Sequence, residues 1–112
     1  MQCGPPEEHF ELLRGSDYVV LALADDGLNA DVDRVVGFIT AVSDGVLAAY
    51  IPLLEVLPDY RGQGIGTELV RRLLHKVRNL YMVDVMCDPD VQPFYARLGM
   101  QPSAGMIIRR MG

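Results

Sequence analysis

The sequence predicts one α/β domain over residues 1–112, built on a mixed β-sheet. Short segments rich in β-branched and aromatic residues recur along the chain and predict strands. The longer segment 65–78 has apolar residues at helical spacing with charged residues between them. A glycine-rich turn joins one predicted strand directly to this helix.

The first half of the chain is predicted to contain a short helix and three strands. The helix covers residues 5–14, and the strands cover residues 17–24, 34–42 and 47–57, with a loop at 25–33. The turn Ser43-Asp44-Gly45 predicts that the last two strands form an antiparallel hairpin. Gly37 is a possible bulge, and Pro52, which cannot donate to a ladder, indicates an edge, a bulge or a local parting of strands.

The second half is predicted to continue as helix, strand, helix and strand. Residues 65–78 form the central helix, which connects the third strand to a parallel strand at 81–87. Asp88 and Asp90 are N-cap candidates for a short helix that runs to Leu98 and stops at Gly99. A last strand is expected at 106–110, so the predicted order is α-β-β-β-α-β-α-β.

Composition excludes several classes of protein. Half of the residues are hydrophobic and 22% are charged, which is typical of an ordered globular domain. The net charge of −5 argues against nucleic acid as the main partner, since phosphate backbones select basic surfaces. No apolar run has the length of a membrane helix and no secretory signal is present, so we expect no membrane association and a cytoplasmic location. Cys3 and Cys87 lack metal-ligand spacing.

The glycine turn, Arg61-Gly62-Gln63-Gly64-Ile65-Gly66, lies where a strand feeds a helix N-terminus, an arrangement suited to an anion such as phosphate. A P-loop would require Lys after the last glycine, and none is present. A dinucleotide fingerprint would require a third glycine where Thr67 stands. A purely structural turn is the alternative.

Two motifs together carry a family resemblance. Residues 61–66 resemble the Gln/Arg-x-x-Gly-x-Gly/Ala signature of the GCN5-related N-acetyltransferases (GNAT), and residues 94–100, Phe-Tyr-Ala-Arg-Leu-Gly-Met, resemble that family's second motif. The resemblance spans about residues 17–110. It implies a GNAT-like fold, here abbreviated at the N-terminus, with acetyl-CoA (coenzyme A) in a cleft where two parallel strands splay apart.

The resemblance also implies which residues hold the cofactor. The backbone of the strand that ends near Val56 is expected to pair with the pantetheine arm, and backbone N–H groups of the loop are expected to hold the pyrophosphate. The expected cofactor-binding residues are Leu54, Val56, Arg61, Gly62, Gln63, Gly64, Ile65 and Gly66. Close approach of a backbone to the ligand favours glycine, and the helix supplies the dipole.

Three residues are candidates for catalysis. Tyr95 matches the tyrosine that often serves as the general acid in the family that the sequence resembles. A phenol has a pKa near that of a thiol leaving group and can therefore donate a proton to it. Its alternative role is that of a packed aromatic side chain. Glu55, within an apolar strand, is the first candidate for the general base, and Asp84 is the second; either is alternatively part of a solvated strand face or an ion pair. Cys87 is expected to be a cleft wall.

The function expected from the resemblance is transfer of an acetyl group to a primary amine, with a small molecule as the acceptor, by direct attack in a ternary complex. The alternatives are an acyl-CoA-binding regulatory module without transferase activity and a protein-interaction scaffold. The short N-terminal region leaves acceptor walls to be supplied by a second subunit, so a homodimer is expected.

Overall fold

The computed structural model describes residues 15–24 and 34–110. Four strands, two α-helices and a 3₁₀ turn are present in this part of the chain. They are β1 (Tyr18–Ala24), β2 (Arg34–Ser43), β3 (Ala48–Val56), the 3₁₀ turn Pro58–Tyr60, α1 (Ile65–Lys76), β4 (Met82–Val85) and α2 (Gln92–Ala96). The predicted helix at 5–14 and the predicted loop at 25–33 lie outside the described residues.

The strands form one mixed sheet in the order β1-β2-β3-β4. The pairs β1–β2 and β2–β3 are antiparallel, and β3–β4 is parallel. The α/β class, the hairpin and the parallel crossover through α1 are therefore confirmed. Because a helix rather than a tight turn connects β3 to β4, the two strands run in the same direction, and their C-terminal ends lie at the same end of the sheet.

Two irregularities lie where the sequence indicated them. Opposite Ala22 and Leu23, the register on β2 passes from Gly37 to Val35, which leaves Val36 as an extra residue beside Gly37. Between Thr40 and Val42, the partners on β3 change from Leu53 to Tyr50, which places a second bulge around Pro52. Because β3 is an interior strand, the bulge and not a sheet edge accommodates this proline.

One face of the sheet is covered by α1. The helix contributes a buried apolar stripe, Leu69, Val70 and Leu73, with Val77 just beyond its end. These side chains pack against Val20, Ile39, Ala41, Ala49 and Ile51 in the main core. The stripe follows from 3.6-residue periodicity, which brings apolar positions three and four apart onto one side. Arg78 closes the last turn by donating from its guanidinium to the His75 carbonyl at 2.9 Å.

The second helix begins later than predicted. Its N-cap is Val91, without a side-chain cap bond, so the prediction of Asp88 or Asp90 as N-cap is wrong. Asp88 instead accepts from the Val91 N–H through its backbone carbonyl at 2.9 Å, and this turn delays the helix. The stop at Gly99 is confirmed: its φ is +98°, and the Met100 N–H donates to Tyr95 O at 3.2 Å as in a Schellman motif.

The predicted last strand, 106–110, is absent. Residues 101–110 have no regular secondary structure, and all of them are exposed. The segment has strand propensity, but a strand also requires a ladder partner, and within the described residues β4 pairs with β3 alone. Within the described residues, no helix is long and apolar enough to cross a membrane.

Candidate functional site

The site is built around the place where β3 and β4 stop pairing. The ladder ends at Ile51 opposite Val85, whereas β3 continues to Val56. We call the opening between residues 52–56 and residues 86–87 the fork. The Leu57 N–H donates to the Val36 carbonyl on β2, so by alternation the backbone groups of Leu54 and Val56 point away from β2 and into the fork. An extended ligand could pair with them as an added strand.

The glycine loop closes one end of the fork. Gly62 and Gly64 have φ of +79° and +85°, in the left-handed region that glycine adopts without strain. The first α-helical hydrogen bond at the N-terminus of α1 runs from the Glu68 N–H to Gly64 O, at 3.1 Å. The amides of residues 62–67 consequently have no hydrogen-bond acceptor among the described residues. Six successive donors at a helix N-terminus form an anion cradle.

Arg61 contributes differently from the glycines. Its backbone N–H already donates to Pro58 O at 3.3 Å, as part of the 3₁₀ turn. Its side-chain Nε donates to Val56 O at 3.0 Å, which is a carbonyl that points into the fork. The guanidinium therefore lies between the strand end and the loop, and its remaining N–H groups can reach an anion there.

The charges around the loop favour an anion. Glu68, in the first turn of α1, is paired with Arg72 at 3.1 Å, one helical turn further on. Both side chains are more than half exposed, so the pair contributes little to stability. It nevertheless places a positive group beside the only acidic residue in the helix's first turn. The loop itself carries Arg61 and no carboxylate.

Tyr95 lies on α2, close to Cys87 at the end of β4. It is 7% exposed, belongs to the main core, and stacks edge-on against Phe94 with 5.0 Å between ring centroids. The Phe94 ring in turn lies 3.7 Å from the position of a Cβ on Gly66, so α2 and the glycine loop are in direct proximity. Burial, and then the nearby Cys87, raises the pKa of the Tyr95 hydroxyl above its ordinary value of 10.0.

A cavity of about 410 Å³ adjoins Tyr95. Tyr95, Cys87 and Asp84 all line it, together with Tyr50 and Gln92. Glu55 does not line it: this residue lies opposite Phe38 of β2, four residues beyond Ile51, the last residue of β3 that pairs with β4. Of the two carboxylates considered as the base, only Asp84 thus shares a cavity with Tyr95. Asp84 is exposed, and Glu55 is half-buried.

One contributor to the loop was missed at the sequence level. In the sequence Thr67 only rules out a dinucleotide fingerprint, yet in the structure its amide is the last unpaired donor before the Glu68–Gly64 bond. The first four N–H groups of a helix lack an intrahelical acceptor, and with Gly64 as the N-cap the Thr67 N–H is the fourth of them. No cluster of three or more metal-ligating side chains occurs in the described ranges, 15–24 and 34–110.

Comparison with known proteins places this geometry in a family. The family model described as "Acetyltransferase (GNAT) family" matches residues 2–100, which is most of the chain. The chain belongs to the GNAT family. The two segments that resemble GNAT motifs, residues 61–66 and 94–100, both lie within the matched range.

Solved GNAT structures have the same fold. A Deinococcus radiodurans protein described as a candidate acetyltransferase superposes with a TM-score of 0.83 and 48% identity, over 94% of this chain and 69% of that one. A GNAT family acetyltransferase of Streptococcus pneumoniae has a TM-score of 0.76 and 29% identity, over 96% of this chain and 82% of that one.

Curated relatives are longer than this chain. An N-acetyltransferase of Pyropia yezoensis, described as uncharacterised, is 28% identical over 89 residues, or 78% of this chain and 49% of the relative. N-alpha-acetyltransferase 30 of Schizosaccharomyces pombe is 32% identical over 78 residues, or 62% of this chain and 52% of the relative. The chain thus spans about half the length of these GNAT relatives.

Proposed function

We propose that this GNAT protein is an N-acetyltransferase that transfers an acetyl group from acetyl-CoA to the primary amine of a small molecule. The observation that carries the proposal is the row of unpaired amides at residues 62–67, set beside a strand edge whose own polar groups face the fork. An elongated ligand with a pyrophosphate at one end and an amide-containing arm at the other matches both features.

The residues present fit such a cofactor. The amides from Gly62 to Thr67 would hold the pyrophosphate, with the Arg61 guanidinium adding positive charge at the start of the loop. The backbones of Leu54 and Val56 would pair with the amides of the pantetheine arm. When bound, acetyl-CoA supplies an activated thioester whose carbonyl carbon accepts the amine.

Tyr95 is suited to protonate the departing thiolate. Its pKa is raised by burial, so the hydroxyl stays protonated throughout the neutral range and is able to donate. It makes no hydrogen bond to any described residue, which leaves the proton available. The amine must lose a proton in the same reaction. Asp84 is the better placed carboxylate for this role because it shares the cavity with Tyr95, while Glu55 and water are the alternatives.

Two measurements test the proposal in order. The first is isothermal titration of the full chain with acetyl-CoA and with desulfo-CoA, for which we expect saturable binding of both. The second is a thiol-release assay against a panel of small primary amines, with a dipeptide and a tripeptide in the same panel to test the small-molecule preference.

The outcomes separate the alternatives. Release of free CoA with only the small amines supports the proposal, and release only with peptides would redirect it to peptide N-termini. Binding without release from any acceptor would favour a regulatory acyl-CoA-binding module. Absence of binding would refute the cofactor assignment and leave a protein-interaction scaffold.

A further inference from the structure

The side chain of Arg61 occupies a backbone carbonyl that faces the fork. Val56 is the last residue of β3, and its oxygen accepts from Arg61 Nε at 3.0 Å. In a ladder, a strand N–H nitrogen lies at about the same distance, ~2.9–3.0 Å, from the oxygen that it bonds. The Arg61 nitrogen therefore takes the place of the N–H that an added strand would offer to Val56 O.

The 3₁₀ turn that precedes Arg61 is attached to β2 at two points. The Leu57 N–H donates to Val36 O at 2.8 Å, so the turn starts directly beside the neighbouring strand. At the end of the turn, the Tyr60 hydroxyl accepts from Arg34 Nη2 at 3.1 Å, and the Arg34 guanidinium lies 5.7 Å from the centroid of the Tyr60 ring. Arg61 follows immediately, so these contacts keep its side chain over the end of β3.

The fork is limited at both of its ends. At the inner end it closes where Ile51 pairs with Val85. At the outer end Val56 O is bonded to Arg61, so Leu54 and Val56 leave three fork-facing groups for a ligand: the Leu54 N–H, the Leu54 carbonyl and the Val56 N–H. A ligand arm displaced towards the glycine loop by one ladder repeat, which is two residues or roughly 7 Å, would need the Val56 oxygen.

The acyl donor of the proposed function requires one fixed register on β3. Its arm pairs through amides, and a strand edge offers the same pattern of groups at each ladder repeat. A shift by one repeat moves the thioester by roughly 7 Å, whereas reacting atoms must approach to about 3–3.5 Å. The pyrophosphate fixes one end of the donor in the loop, but the arm between them is flexible. A second constraint beside Val56 therefore decides where the thioester lies.

We propose that Arg61 is a positioning residue for the acyl donor: by occupying Val56 O, its side chain excludes the displaced register and aligns the arm on Leu54 and Val56. The proposal rests on the proposed function, because it takes a pantetheine thioester as the donor. It attributes the main effect of Arg61 to the side-chain N–H, which acts through the strand. The charge of the guanidinium, which acts on the phosphates, has a separate effect on affinity.

Two substitutions of similar length separate the N–H donor from the charge. Arginine Nε and glutamine Nε2 are each the fourth atom of the side chain, so Arg61→Gln keeps an N–H donor for Val56 O and removes the charge. Arg61→Met places a methyl group at the same position and removes both. Arg61 is exposed, so neither new side chain has to fit into the core.

Steady-state kinetics with two donors, S-acetylpantetheine and acetyl-CoA, provide the first test. S-acetylpantetheine has the arm without the phosphates, so Arg61→Met should lower its kcat about tenfold, the order expected for loss of a hydrogen bond from a charged donor. Arg61→Gln should restore this kcat to within about threefold of the wild type. With acetyl-CoA the pyrophosphate is a second anchor, so Arg61→Met should lower kcat less than with S-acetylpantetheine. KM for acetyl-CoA should rise by a similar factor in both variants, because both lose the charge.

Amide hydrogen exchange, followed by NMR, provides a readout that does not depend on turnover. Saturating pantetheine should slow the exchange of the Leu54 and Val56 amides in the wild type and in Arg61→Gln. In Arg61→Met the displaced register becomes accessible, and it leaves the Leu54 N–H without a partner. The Leu54 amide should then lose about tenfold of its protection, while the Val56 amide stays protected.

The outcomes distinguish this proposal from the proposed function. Absence of thiol release from acetyl-CoA with every amine would refute the transferase function, and the exchange pattern alone would then decide the role of Arg61. The same holds for a wild type that turns over acetyl-CoA but not S-acetylpantetheine.

Three results would overturn the role of Arg61 and leave the proposed function standing. The first is a wild type that turns over acetyl-CoA while pantetheine protects neither the Leu54 nor the Val56 amide. The second is equal kcat with S-acetylpantetheine and equal Leu54 protection in all three proteins, which would reduce Arg61 to a phosphate contact. The third is an equal loss in Arg61→Gln and Arg61→Met, which would attribute the effect to the charge and not to the N–H donor.

Discussion

Replacement of Gly64 by alanine tests the glycine loop more directly than any other change. Gly64 has φ +85° and ψ 7°, and a Cβ added there would meet nothing within 4 Å. Steric crowding is therefore not involved, and the cost is that of holding alanine in the left-handed region, about 1–2 kcal/mol. If the loop keeps its conformation, this cost appears in the free energy of unfolding. If the loop relaxes, the amides of residues 62–67 lose their alignment, and the cost appears as an increase of roughly tenfold in the dissociation constant for CoA.

Gly66→Ala is the matched control. Gly66 lies in the first turn of α1 with an ordinary helical φ, and an added Cβ would rest 3.7 Å from the Phe94 ring, at normal contact distance. Alanine in a helix is more favourable than glycine by about 0.5–1 kcal/mol. This variant should be at least as stable as the wild type and should bind CoA with similar affinity.

Urea unfolding and isothermal titration of both variants give the two quantities needed. For Gly64→Ala the loss of unfolding free energy and the loss of binding free energy should together amount to about 1–2 kcal/mol. Equal effects of the two substitutions on stability and binding would contradict the assignment of the left-handed geometry to Gly64. An unchanged Gly64→Ala protein would contradict the conformational argument altogether.

Three further predictions concern single side chains. Tyr95→Phe should lower turnover and leave the CoA dissociation constant within about twofold. The pKa of the Tyr95 hydroxyl is raised in the folded protein, so the wild type should lose stability as the pH rises above about 10, and the variant should lose less. Asp44 accepts from the amides of Val46, Leu47 and Ala48, which lowers its pKa, so Asp44→Ala should reduce the melting temperature at pH 7, and the difference should disappear as the pH falls below about 4. Thr40 is fully buried and its hydroxyl has no partner among the described residues, so Thr40→Val should be neutral or stabilise by up to ~1 kcal/mol in urea unfolding, whereas a loss of more than that would indicate a hydroxyl bond.

Local patterns predicted most of the fold. The hairpin follows from Ser43-Asp44-Gly45, and the central helix follows from its apolar periodicity, because in both cases neighbouring residues determine the geometry. The errors concern segments whose state depends on distant partners. Residues 106–110 have strand propensity but no ladder partner within the described residues. The start of α2 is set by a backbone turn at Asp88 rather than by the expected side-chain cap.

The candidate site shows the same division. The glycine signature predicted where an anion would bind, since left-handed turns and a helix N-terminus are local features. The sequence ranks Glu55 ahead of Asp84 as the general base, although each is a single carboxylate in an apolar strand. Both side chains lie on the sheet face opposite α1, but Asp84 is on β4, along which the cavity of Tyr95 lies, whereas Glu55 is near the end of the interior strand β3.

By itself, the sequence determined the family, the order of the elements from β1 to α2 and the loop that carries the unpaired amides, since all of these depend on residues close together in the chain. Only the tertiary structure decided where β3 and β4 part, that the Arg61 side chain bonds to Val56 O, and that Tyr95 and Asp84 share one cavity. These features depend on how strands and helices far apart in sequence pack against one another. A propensity or a motif does not contain that information.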